Sequence, residues 1–253
     1  MVLAGGILLA GGAGVALLSP KSPAAPVAVA RSTVPDPADR LRVAVTDEMP
    51  ARLPAEGVPR GWQLKEFAGK AAVEVVRSDG RLAVRLRSDR ASLALHRDVV
   101  VDLKTLPYLT WAWKVIRLPA GGDIREAGRD DQAAQVYVVF PRWPSPRTAS
   151  DVVGYVWDSR TPVGTHVTNP RMPNVRVIVV ESGRGRLDTW QAYQRNVAED
   201  YAALFGRPVP RVGKVALMVD SNDTRAEAEA LFGELVFGRT LGGRAEIPSI
   251  VLR

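Results

Sequence analysis

Most residues of this 253-residue chain that could do chemistry are acids and aromatics set beside apolar runs. Asp130-Asp131 stands just before the apolar run Ala133–Phe140. Neighbouring residues on an extended chain point to opposite faces, so at most one of these aspartates can enter a given cleft. Acid–base work would need a second carboxyl from another element, with Asp220 or Asp200 as candidates. Two acids beside a buried strand need compensation, and Lys114, Arg129 or Arg195 could supply it; otherwise the pair is a solvated turn. Asp220-Ser221-Asn222-Asp223-Thr224 opens like a calcium loop, but Arg225 and Leu231 occupy the positions where an EF-hand needs Gly and Glu. What remains is a looser structural calcium site at Asp220, Asn222 and Asp223, or plain capping and turn chemistry. No other cofactor is expected.

Trp157, at a strand end before Asp158-Ser159, is the aromatic best placed to stack on a sugar ring. Trp111 and Trp113 share a strand face with Leu109 and Val115 and belong to the core. Zero cysteines exclude thiol catalysis, disulfide scaffolds and thiolate metal sites. His96 and His166 are the only histidines, which excludes a His-rich centre. Phosphate-loop, His-Glu-x-x-His and Gly-x-Ser-x-Gly motifs are absent.

The elements that must position these groups are mostly strands. Leu82, Val84 and Leu86 alternate with charged or small residues, and Asp79-Gly80 before them signals a hairpin with Val73–Val76. Further strands are expected over 92–97, 109–115, 134–140, 152–157, 175–180 and 214–219. Nine or ten such runs, separated by Pro, Gly and Asp, predict a mainly β chain folded as an antiparallel β-sandwich. One amphipathic helix is expected near 188–205, from Trp190, Val197, Tyr201 and Leu204, capped by Asp188 and ended by Gly206. Thr224 to Glu227 fits a capping box, yet 228–237 reads better as the closing strand. In this arrangement Lys114, Asp130, Asp131, Trp157, Arg195 and Asp220 are expected to gather at one end of the sandwich.

Residues 2–18 are uncharged and largely apolar, and Ala28-Val29-Ala30 offers small residues for cleavage after Ala30. Residues 1–30 therefore read as a signal peptide or N-terminal anchor, and the chain as exported to periplasm, envelope or medium. Eight of the nineteen prolines fall between Pro20 and Pro59, so 31–60 reads as a linker or irregular approach, within which Leu41, Val43 and Val45 could form one short strand. The sandwich domain then spans 61–238, followed by a tail over 239–253. The net charge of +7, lowered by one if cleavage removes Lys21, admits anionic partners without any block of basic residues.

Trp111-Ala-Trp-Lys-Val115, Asp130 to Phe140, Tyr155-Val-Trp157, Arg195-Asn-Val-x-x-Asp-Tyr-x-x-x-Phe-Gly206 and Asp220 to Thr224 occur in an order that resembles the bacterial domain-of-unknown-function family 3047. The resemblance runs from about Gly61 to Phe237. It implies an envelope-associated protein shaped like galactose-binding-like jelly rolls, without implying a reaction. The family carries an arginine-type residue where this chain has Gln135. Three functions compete. The first is a non-catalytic module binding a glycan or similar polar envelope component. The second is a hydrolase or lyase acting on envelope polysaccharide with paired aspartates. The third is an assembly protein with Arg81, Arg85, Arg87 and Arg97 as a basic face for anionic lipid or polymer. Export argues against nucleic acid as a partner.

Overall fold

The computed structural model describes residues 40–142, 150–169 and 172–239. The expected signal or anchor (1–30), and most of the expected tail, lie outside the described residues. In chain order the elements are β1 Arg40–Val43, β2 Ala55–Glu56, β3 Gln63–Ala68, β4 Ala71–Ser78, β5 Arg81–Asp89, β6 Ser92–Val101, β7 Tyr108–Arg117 and β8 Ala134–Phe140. They continue with β9 Asp151–Asp158, β10 His166–Thr168, β11 Val175–Ser182, β12 Gln191–Asn196, helix α1 Val197–Phe205, β13 Val212–Asp220 and β14 Glu227–Gly238.

These strands make a β-sandwich of two seven-stranded sheets. The first runs β12-β7-β14-β5-β4-β2, with β1 paired to the far half of β14; the second runs β10-β11-β9-β8-β13-β6-β3. All pairs are antiparallel except β9 with β11. From β5 to β8, and again from β12 to β14, consecutive strands alternate between the sheets, the crossing pattern of a jelly roll. Period-two alternation decides which residues meet between the layers. Leu86, Trp111, Trp113, Phe232 and Phe237 of the first sheet face Leu95, Val136, Phe140, Tyr155, Trp157 and Leu217 of the second. The expected hairpin forms: Asp79 and Gly80 both have positive φ, as a two-residue turn between twisted strands requires.

Three expectations need correction. The helix is shorter than 188–205. Asn196 caps it by accepting from Glu199 N at 3.2 Å, while Gln191–Asn196 pairs with the edge of β7. Asp188 sits in a left-handed turn and caps nothing. An edge strand wins here because β7 offers an open ladder and Tyr193 stacks on Trp111. The C-terminal end is as expected, with Gly206 at φ 64°. The third correction concerns the proline-rich approach, which becomes packed structure from Arg40 onward: Leu41, Val43 and Val45 are all buried. The segment from 227 is a strand, with Thr224 in the turn before it.

Candidate functional site

The second sheet also has an apolar outer face. On β8, Gln135, Tyr137 and Val139 alternate with the core residues Val136 and Val138 and so point away from the sandwich interior. Met218 and Ala216 of β13, and Val175 and Val177 of β11, share that face. The connection before β8 and the one between β10 and β11 bring Ile124 and Met172 over it. Where these connections meet the sheet, a small cleft opens, its polar side formed by Asp130, Gln132, Gln135, Tyr137, Asn169 and Asp220. Met172, Met218, Val175 and Val177 form the apolar side.

The polar wall is internally braced. Tyr137 donates its hydroxyl proton to Gln135 Oε1, and Gln135 Nε2 donates to the Gln132 carbonyl at 3.3 Å. Gln132 Nε2 reaches Asp130 Oδ1 at 3.2 Å, and Asn169 Nδ2 reaches Asp130 Oδ2 at 3.4 Å. The Asp220 amide donates to the Gln132 carbonyl at 3.0 Å, tying the end of β13 to the entry of β8. Tyr137 can lie flat across β9 because Gly154 lies beneath it; a Cβ there would come within 2.6 Å of the ring.

Burial raises the Asp130 carboxyl to about 6, opposed by the Gln132 hydrogen bond and reinforced by the charges of Asp223, Asp131 and Asp158. Asp220 is pushed well above the usual carboxylate range, first by burial and then by the neighbouring Asp131. The Tyr137 phenol is raised by burial, with Asp130 and Asp220 adding to the shift. This cleft therefore holds a carboxyl that changes charge near neutrality beside a second whose ionisation is opposed by burial and by Asp131.

Of the six residues expected to gather, two line the cleft and a third lies beside them. Asp130 and Asp220 line the cleft. Asp131, fully buried, points away and accepts from Asp223 N at 3.1 Å, Thr224 N at 2.6 Å and Thr224 Oγ1. The other three lie elsewhere. Trp157 offers no flat face to a ligand: it is 0% exposed and its indole donates to the Gly183 carbonyl at 2.9 Å. It shares strand parity with Val153 and Tyr155, and that parity points inward. Lys114 is on the outer face of the first sheet, held by Asp188 at 2.7 Å and Asp79 at 3.1 Å, and the Asp188 hydrogen bond leads the forces that raise its pKa. Arg195 pairs with Asp200, which also accepts from Tyr155 OH, beside α1. That pairing also removes Asp200 as a partner for Asp130.

The 220–224 loop does not form calcium geometry from Asp220, Asn222 and Asp223. Asn222 N donates to Asp220 Oδ1, and Asn222 Nδ2 occupies Asp223 Oδ1 at 3.0 Å. Among the described residues no three His, Asp or Glu side chains converge as metal ligands. The expected basic face is largely neutralised: Arg85 and Arg87 pair with Glu74, and Arg97 is buried against Asp47. Gln132, Gln135, Tyr137 and Asn169 were not among the expected site residues. For Gln135 and Tyr137 the signal was present, since a glutamine alternating with valines must face away from the core those valines fill.

A family model described as "Protein of unknown function (DUF3047)" matches residues 60–236. The chain belongs to this family. The matched segment contains every cleft residue named above. No curated protein sequence matches the chain. Among solved structures, the chain is similar to the family 11 carbohydrate-binding module of cellulase Lic26A-Cel5E from Clostridium thermocellum, at 7% identity, covering 80% of this chain and 99% of that one, with a TM-score of 0.40. It is similar to endoglucanase cel12A from Rhodothermus marinus at 12% identity, 73% and 99% coverage and a TM-score of 0.41. It spans only 19% of the active domain of bacteriophage CBA120 tailspike protein 4, at 12% identity over 71% of this chain and a TM-score of 0.38. Likenesses this distant carry no argument about ligand or reaction. Among the described residues no helix is long and apolar enough to cross a membrane.

Proposed function

We propose that this DUF3047 protein is an exported envelope component that binds a glycan or similar polar ligand at the mouth of the cleft beside Asp130, without catalysing a reaction on it. One observation carries the reading: a prearranged wall of carboxyl, carboxamide and phenol groups faces an apolar wall of methionine and valine. Carboxyl and carboxamide groups each present two polar atoms in one plane, which suits adjacent sugar hydroxyls, while methionine and valine suit the ring's C–H face. Fixing those groups before binding removes part of the ordering cost.

Export rests on the apolar run 2–18 and the small residues before Arg31. Cell fractionation with N-terminal sequencing checks it: a mature chain starting at Arg31 outside the cytosol supports export, and an intact cytosolic chain contradicts it. A screen against neutral and acidic envelope glycans checks the ligand class. Binding by the wild-type chain that Asp130→Ala abolishes is the expected result, whereas silence across the set would end this reading.

A second reading is favoured by the two carboxyls that share the cleft. Asp130 and Asp220 could serve as base and acid in a hydrolase or lyase if their oxygens stand about 5–10 Å apart across a bound sugar. Release of reducing ends from a bound polymer, lost in Asp130→Asn, would favour this reading over simple binding.

A further inference from the structure

At one end of the sandwich β6, β8 and β14 finish, and β1, β7, β9 and β13 begin. The strand register fixes this grouping: Phe140 stands opposite Asp151, Val101 opposite Val212, and Arg40 opposite Gly238, itself opposite Tyr108. The connections at this end carry cations that face solvent. Lys104 and Arg40 are exposed, and the side chains of Arg211, Arg142 and Arg207 are 73%, 44% and 37% exposed. These groups are contiguous. Arg211 reaches Asp102 at 3.8 Å, two residues before Lys104, while Arg142 and Arg207 both turn to the Asp151 carboxylate. Asp151 is 1% exposed, so two surface guanidiniums share one interior charge. Among the described residues here, Asp102 and Glu199 are the surface acids opposing them, since Arg195 and Lys214 take up Asp200 and Asp98. The opposite end differs. There Arg90, Arg117 and Arg125 each hold a carboxylate of their own, on Asp89, Glu227 and Asp123. A surplus of positive charge is thus gathered at the first end.

Cations spread over several connections attract a charged surface more than any single small group. The chain also enters β1 at this end, so the uncharged apolar run 2–18 is joined to it through residues 19–39. We propose that this end docks on an anionic phospholipid surface, its headgroup phosphates meeting Lys104, Arg40, Arg142, Arg207 and Arg211. This face is distinct from the basic face expected on β5 and β6, whose arginines are held by Glu74 and Asp47. Docked this way, the sandwich holds the Asp130 end of the second sheet away from the bilayer. Each cation close to an anionic surface multiplies partition about fivefold, and the attraction fades beyond a Debye length of about 10 Å in 0.1 M salt.

The test needs no oligosaccharide, so its failure would leave the sugar-binding reading untouched. Partition of the full chain is measured on vesicles of phosphatidylcholine alone and of phosphatidylcholine mixed with phosphatidylglycerol. Any insertion of the apolar run is common to both, so the gain on the mixed vesicles reads the charged end. The expected gain is at least about tenfold in 0.1 M salt, and it should vanish in about 1 M salt. Lys104→Gln combined with Arg211→Gln should reduce the gain at least about tenfold, whereas Arg90→Gln at the far end should leave it unchanged. Both altered side chains are exposed, so the double variant should melt as wild type does. Should it fail to fold, Lys104→Gln with Arg40→Gln replaces it, with the same loss expected. Equal partition on the two lipids in about 0.1 M salt overturns the proposal, as does an undiminished gain in the folded double variant. Tighter binding to polygalacturonate than to mixed vesicles at equal charge concentration would also overturn it, in favour of an acidic polymer.

Discussion

Asp131 accepts hydrogen bonds from the backbone of Asp223 and from both donors of Thr224, whereas Asp130 meets only the amides of Gln132 and Asn169 beside open space. The two should therefore respond differently to substitution. Asp131→Ala should cost about 2–4 kcal/mol, because it leaves buried donors unsatisfied and frees the 220–224 turn. Asp130→Asn should leave stability unchanged or slightly higher, since a carboxyl raised to about 6 already resists ionisation. Urea denaturation of both variants distinguishes them. His96 gives a separate test. It accepts from Lys214 Nζ through Nδ1 at 3.1 Å, and burial, followed by the charge of Lys214, lowers its pKa. With the folded value below the unfolded value of about 6.5, its contribution is complete above that pH and is lost as pH falls through the lowered value. The fall in stability on acidification below about pH 6.5 should be shallower in His96→Gln, as measured by urea titrations at several pH values.

At the level of elements, Gly154 decides whether β8 and β9 can carry the cleft. An alanine there would place its Cβ within 2.6 Å of the Tyr137 ring and 3.1 Å of Val177. Gly154→Ala should therefore lower stability by about 1–3 kcal/mol through overpacking and displace Tyr137 from Gln135. Thermal melts and the near-UV signal of Tyr137 would report both effects. Strand alternation made most of these elements readable from sequence. The expected runs from 92 to 97, 134 to 140 and 214 to 219 fall within β6, β8 and β13. β12 escaped because Gln191–Asn196 is polar and half-exposed, and carries no apolar alternation. Trp190, whose spacing pointed to a longer helix, packs instead against the outer-face cluster of Val76, Ala83 and Leu231. The cleft was legible only in part. Acids before a buried strand drew notice to Asp130, while Gln132 and Asn169 gain their role from a meeting of two connections that no spacing records.

On the scale of the whole molecule, the sandwich begins earlier than the family match. β1 pairs with the second half of β14, and Leu41 and Val43 enter the shared core, although the match starts at residue 60. A chain truncated to 60–239 should lose several kcal/mol relative to 40–239, because it uncovers Leu235 and Phe237 as well as deleting the buried Leu41, Val43 and Val45. Chemical denaturation of the two chains measures that difference. The two outer faces also differ in chemistry: the first sheet carries Lys114 between two exposed aspartates, and the second carries the cleft. This contrast permits the most direct test of the sugar-binding account. Isothermal titration with an oligosaccharide found in the glycan screen would be run on the wild-type chain, Gln135→Ala and Lys114→Ala. The account predicts that Gln135→Ala weakens binding at least about tenfold, in line with losing braced polar contacts, while Lys114→Ala binds as wild type does. Undiminished binding in Gln135→Ala, or its loss in a folded Lys114→Ala, would contradict it.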